Sequence, residues 1–156
     1  MLLEEIIKPN NVLCNTTVRS KKHCLEILSE LMVLPYPQIT SDQIFRCLNL
    51  RERLGCTGLN SGAAFPRCRI DGLEFNNAAL IKLSEPVDFD AADGEPVDLV
   101  FGMIVPTELD DSHYADIRMI TNVLANEGLR SHLRKMSSNS DLYDALINGS
   151  KLITPN

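Results

Sequence analysis

The stretch Val97-Asp98-Leu99-Val100-Phe101-Gly102-Met103-Ile104-Val105 constrains the fold of this chain more than any other segment. It is an almost unbroken apolar run, and Pro106 closes it. A strand apolar at consecutive positions needs cover on both faces, so it belongs inside a sheet packed between helices. Ala78-Ala79-Leu80-Ile81-Lys82-Leu83 reads as a second buried strand. Between them, Pro86 to Pro96 is rich in carboxylates and bounded by prolines, which predicts a solvated loop.

Helical periodicity surrounds these strands. Ser20 is placed to cap a helix running to Met32, with Cys24, Leu25, Leu28, Leu31 and Met32 on one face and Pro35 and Pro37 beyond its end. Thr40 or Ser41 opens a second helix, with Ile44, Phe45 and Leu48 inward. Asp110 or Asp111 opens a third, striped by Ile117, Ile120, Val123 and Leu124, with Gly128 near its end. A short helix over Leu129 to Met136 follows, and Asn139 or Ser140 opens the last, burying Leu142, Ala145 and Leu146. Ser150 to Asn156 reads as a tail. Helices, then strands, then helices predict an α/β fold with a sheet between helical layers.

At 156 residues the chain has the length of one domain, spanning residues 1–156. Fifteen Lys and Arg against 21 Asp and Glu give a net charge of −6, which argues against nucleic acid as a partner. No apolar run reaches the roughly 20 residues of a membrane helix, so no membrane insertion is expected. The start, MLLEEII, carries acids where an export signal carries bases, and a cytoplasmic location is expected. Five widely spaced cysteines without a CxxC pair predict no disulfide framework. His23, His113 and His132 are not at metal spacing, and neither metal nor cofactor is expected.

The segment from Arg51 to Arg67 carries the chemistry. It sets an arginine near a helix end, then Gly55-Cys56-Thr57-Gly58-Leu59-Asn60-Ser61-Gly62, then the short apolar Ala63-Ala64-Phe65, stopped by Pro66. Two readings are open. Backbone amides, the Thr57 hydroxyl and the guanidinium groups can converge into an anion pocket. Alternatively, the segment is a flexible glycine loop beside a solvated arginine. It matches neither GxxxxGK[ST] nor GxGxxG, which disfavours an ordinary nucleotide site, and no GxSxG elbow supports a hydrolase.

Arg51-Glu52, Gly55, Thr57-Gly58, Gly62, Ala64 and Pro66 stand in the order and spacing of a known phosphoacceptor motif. The segment resembles enzyme IIA of the bacterial phosphoenolpyruvate-dependent phosphotransferase system (PTS), in the mannitol/fructose class and nearest its nitrogen-regulatory members. Pro86-Val87-Asp88-Phe89-Asp90, Pro96 to Phe101, Val105-Pro106 and His113 extend the resemblance over roughly residues 20–147. It implies three layers, with a mixed sheet of about five strands flanked by helices on both faces. It also implies a histidine that takes a phosphoryl group from an HPr-like phosphocarrier protein, steadied by a second histidine and an arginine, here His113 and Arg51.

Three departures stand out. Arg67 occupies the acceptor position, Cys56 replaces a usual serine, and Cys68 replaces a usual glycine. A guanidinium offers five donors and no acceptor, so Arg67 cannot take a phosphoryl group. The resemblance then implies a degenerate active site in a regulatory protein. It would act through protein–protein contacts, binding the carrier without phosphotransfer and regulating targets such as a potassium transporter or a sensor kinase. Two alternatives are an active phosphotransferase component using His113 or Cys68, and a small-anion sensor holding its ligand with Arg51, Gly55, Thr57, Gly58, Arg67 and His113. Glu108, Asp110 and Asp111 are expected to pair with His113. His23 and His132 are expected to be solvated surface groups.

Overall fold

The computed structural model describes residues 3–153. Two 3-10 turns, Leu3–Glu5 and Pro9–Asn11, precede β1 (Val12–Thr16), α1 (Lys21–Val33) and α2 (Ser41–Leu54). Then come β2 (Ala63–Ala64), β3 (Arg67–Ile70), β4 (Asn77–Val87), β5 (Val97–Pro106), α3 (Asp111–Ala125), α4 (Glu127–Arg134) and α5 (Asn139–Ile153). The strands form one five-stranded mixed sheet. The expected α/β class and strand number are both observed.

β5 is the central strand. β4 runs antiparallel along one of its edges, and β1 lies parallel beyond β4. Along the other edge, β2 and β3 pair parallel with β5 end to end, Ala64 opposite Val100 and Arg67 opposite Met103. They are one strand interrupted at Phe65-Pro66. Pro66 has no N–H to donate, but its carbonyl accepts from the Met103 N–H at 3.0 Å, which keeps the register across the break. The strand therefore resumes past the proline that was expected to stop it, carrying Arg67 to the sheet edge.

Alternation along β5 builds two cores. Leu99, Phe101, Met103 and Val105 face α3, α4 and α5. Val100 and Ile104 face α1 and α2 with Leu25, Leu28, Ile44 and Leu48. Gly102 also lies on that second face, where a Cβ would stand 2.9 Å from Leu28 Cδ2. Only a bare Cα lets α1 approach so closely.

Three helix starts behave as expected. Ser20 accepts from the His23 N–H, Thr40 exchanges hydrogen bonds with Gln43, and Asp110 does so with His113.

Other boundaries move. α3 ends at Ala125, and Asn126 caps α4 through the Leu129 N–H, so Gly128 lies inside α4 and does not end α3. α4 stops at Arg134, short of Met136. The expected tail at 150–156 is helical to Ile153, with Ser150 buried and donating to the Ile147 carbonyl; residues 154–156 lie outside the described residues. β4 continues through Pro86 to Val87. The loop after it is not wholly solvated: Phe89 is fully buried, and Asp98 at the head of β5 binds Arg134 through both carboxylate oxygens at 3.1 Å. A charge inside an apolar strand needs a partner, and that was the readable signal for Asp98. Among the described residues, no helix is long and apolar enough to cross a membrane.

Candidate functional site

The glycine-rich turn after α2 is organised from beneath by Glu52. This side chain is buried, and its carboxylate accepts the Thr57 hydroxyl, the Thr57 N–H at 3.2 Å and the Lys21 ammonium at 2.7 Å. A buried carboxylate must fill its lone pairs, and the turn folds inward to supply the donors. The Gly55 N–H donates to the Glu52 carbonyl, the Gly58 N–H to Cys56 Sγ and the Leu59 N–H to the Ala63 carbonyl. Cys56 Sγ in turn donates to the Phe89 carbonyl at 2.8 Å. The amides of Gly55, Thr57 and Gly58 and the Thr57 hydroxyl therefore serve the turn itself. The expectation that they line an anion pocket is corrected on this point.

What opens beside the turn is a cavity of about 480 Å³ between α2, β3 and α3. α2 contributes Cys47, Leu50, Arg51 and Leu54, and β3 contributes Arg67, Cys68 and Arg69. Leu109, Tyr114 and Ile117 complete the opposite wall, with Leu50, Leu54 and Tyr114 exposed on the rim. Cys47, Arg51 and Leu54 recur at i, i+4 and i+7 on one helix face, a pattern that could have revealed this wall from the sequence.

Each arginine is held differently. Arg51 Nη1 donates to the Gly55 carbonyl at 2.8 Å. Arg69 Nη1 donates to the Thr107 carbonyl at 3.3 Å. Arg67 Nη1 donates to the Phe65 carbonyl at 3.1 Å, and its guanidinium lies 4.8 Å from the Phe65 ring centroid. Burial, and then the nearby Arg51 charge, pull the Arg67 guanidinium below its ordinary value, with Glu52 acting in the opposite direction. It stays cationic, but two cations at one cavity repel each other.

His113 does not join them. It is the third residue of α3 and is buried. Its Nδ1 accepts from the Asp110 N–H at 3.1 Å, and its Nε2 faces the Glu74 carbonyl at 3.2 Å. A carbonyl only accepts, so the proton sits on Nε2 and both ring nitrogens are engaged. Asp110 meets His113 through the capping box, its carboxylate accepting the His113 backbone N–H at 3.0 Å, and Ser112 and His113 hold that carboxyl below the usual carboxylate range. Of the other histidines, His132 is exposed, whereas His23 is half-buried and its Nδ1 accepts from the Arg19 N–H.

The phosphoenolpyruvate-dependent sugar phosphotransferase system EIIA 2 family matches residues 5–149. A nitrogen regulatory protein of Pseudomonas aeruginosa is 37% identical over 145 residues, covering 93% of this chain and 94% of that protein. The crystal structure of nitrogen regulatory protein IIA-Ntr from Neisseria meningitidis superposes with a TM-score of 0.85 at 31% identity, covering 92% of this chain and 98% of that one. Enzyme IIA of the Escherichia coli mannitol system, solved in complex with phosphorylated enzyme IIB, shares the fold with a TM-score of 0.71 at 18% identity, over 92% of this chain and 99% of that one. With the motif, the five-stranded sheet and these relatives in agreement, the chain belongs to the EIIA 2 family of the phosphoenolpyruvate-dependent phosphotransferase system.

Proposed function

We propose that this protein is a nitrogen-regulatory-type EIIA that acts through protein–protein contacts and takes no phosphoryl group at the usual site. One observation supports the reading: Arg67, which the motif resemblance sets at the acceptor position, stacks its guanidinium on Phe65 and donates to the Phe65 carbonyl. It has no lone pair to attack phosphorus, and phosphoryl transfer needs a positioned acceptor. Substitute acceptors find little support. Both His113 nitrogens are occupied, and the Cys68 thiol is held far above its ordinary pKa, chiefly by the neighbouring Cys47 thiol and then by burial.

The surface around the cavity suits a protein partner. Exposed Leu50, Leu54 and Tyr114 surround cationic Arg51, Arg67 and Arg69, a mixed apolar and basic rim. Its partners are proposed to be an HPr-like carrier, bound without transfer, and a regulatory target such as a potassium transporter or a sensor kinase. Phosphoenolpyruvate, enzyme I and the carrier should leave this protein unlabelled, whereas Arg67→His should acquire label. A stable phosphoryl adduct on the wild-type chain overturns the reading.

A second reading has its own observation. Arg51 and Arg67 repel each other at one cavity, and a bound anion would relieve that repulsion. On this reading the protein also senses a small anion, held by arginines and not by the Gly55–Gly58 turn. Inorganic phosphate should then raise the melting temperature, and Arg51→Ala should abolish the rise. No rise at saturating phosphate rejects it.

A further inference from the structure

Two cysteines from distant parts of the sequence meet on the wall of the cavity. Cys47 lies in the middle of α2, and Cys68 is the second residue of β3. Each thiol perturbs the ionisation of the other, as direct neighbours do. Cys47 Sγ also reaches the backbone of the residue next to Cys68, 3.1 Å from the Arg69 carbonyl oxygen. Both line the cavity, Cys47 half-buried and Cys68 almost fully buried.

The pair is asymmetric and sits among cations. Arg51 follows Cys47 by one helical turn, while Arg67 and Arg69 flank Cys68, and all three arginines line the same cavity. The neighbouring Cys68 thiol holds the Cys47 thiol below its ordinary pKa, while Cys47 and burial push Cys68 up. Cys47 is therefore the accessible nucleophile, and Cys68 is the protected thiol beside it.

We propose that Cys47 and Cys68 form a reversible redox site, in which a peroxide oxidises Cys47 and Cys68 resolves the product as an intramolecular disulfide. The Cys47 thiolate attacks one peroxide oxygen; an S–O bond forms, the O–O bond breaks, and the departing hydroxide takes a proton to leave as water. Oxidation of Cys47 removes the thiol interaction that chiefly raised Cys68, and the Cys68 sulfur then attacks the sulfenic sulfur of Cys47, its proton passing to the departing hydroxide. An S–S bond forms, the S–O bond breaks, and a second water leaves. Two thiols lose two electrons and the peroxide gains them. The bond ties α2, which carries Arg51, to β3, which carries Arg67, so oxidation fixes the two guanidinium-bearing elements relative to one another. The inference rests on thiol placement and not on the phosphotransfer reading.

Hydrogen peroxide applied to the folded, reduced protein tests it by peptide mapping under non-reducing conditions. The expected main product is a linked pair of peptides containing Cys47 and Cys68, lost on adding dithiothreitol, with the other three of the five free cysteines still alkylatable. In Cys68→Ser, Cys47 should stop at a sulfenic acid that dimedone traps; in Cys47→Ser, Cys68 should stay reduced. If Cys68→Ser does not fold, Cys68→Ala serves the same purpose. The proposal fails if the pair stays reduced, if exposed Cys56 takes the oxidation instead, or if Cys47 links two chains.

Discussion

The Arg67 guanidinium packs on the ring of Phe65, two residues before it, and donates to the Phe65 carbonyl, so this side chain is fastened to its own strand. Phe65 is itself pinned from the other side by Phe101 of β5, edge to face at 6.0 Å between centroids.

A double-mutant cycle measures that contact. Phe65→Leu should destabilise the fold by about 1–3 kcal/mol through lost packing against Phe101. Against Arg67→Met, the coupling should be about 0.5–1 kcal/mol, the range for a partly exposed cation over an aromatic ring. Urea denaturation of the four proteins provides the comparison, and additive effects would mean that the stacking contributes nothing.

Lys21 and Glu52 give the second prediction. Lys21→Met leaves a buried carboxylate with only the Thr57 donors, and should lower stability by about 2–4 kcal/mol. Adding Glu52→Gln should recover part of the loss. Hydrogen exchange should report the damage first at Thr57, whose N–H depends on that carboxylate.

Gly102 supplies a steric test. Gly102→Ala places a methyl 2.9 Å from Leu28 Cδ2 and should destabilise by about 1–3 kcal/mol. Shortening the neighbour in Gly102→Ala/Leu28→Val should yield a protein more stable than the sum of the two single effects. Calorimetry of the four variants decides it.

Asp116 sets a pH dependence. It is buried in α3, with Oδ2 accepting from Asn76 at 2.9 Å and Oδ1 without a partner. Burial raises its carboxyl above the ordinary value, so the folded state holds this proton to higher pH than the unfolded chain does. Its contribution is therefore fully present below the unfolded value near about 3.9 and is lost as pH rises through the raised folded value. Asp116→Asn should gain on the wild type over that window and then stay level, in urea midpoints taken across the acidic range. A constant difference at every pH would contradict this.

Much of the molecule follows from local rules written in the chain. The apolar run from Val97 to Val105 demanded cover on both faces and became the central strand. Ser20, Thr40 and Asp110 each cap a helix through a residue three positions on, an interaction complete within one turn. The order of Arg51, Gly55, Thr57, Gly58 and Pro66 pointed to the family. Tertiary structure alone decided what those residues face. A buried Glu52, paired with Lys21 from another helix, draws the turn's donors inward. The Glu74 carbonyl, far along the chain, occupies the second nitrogen of His113. Parallel pairing to β5 carries the chain past Pro66 and sets Cys68 beside Cys47. Caps and periodicity act over a few residues and can be read from spacing; the filling of a buried lone pair depends on which distant donor packing delivers, and spacing carries no record of that.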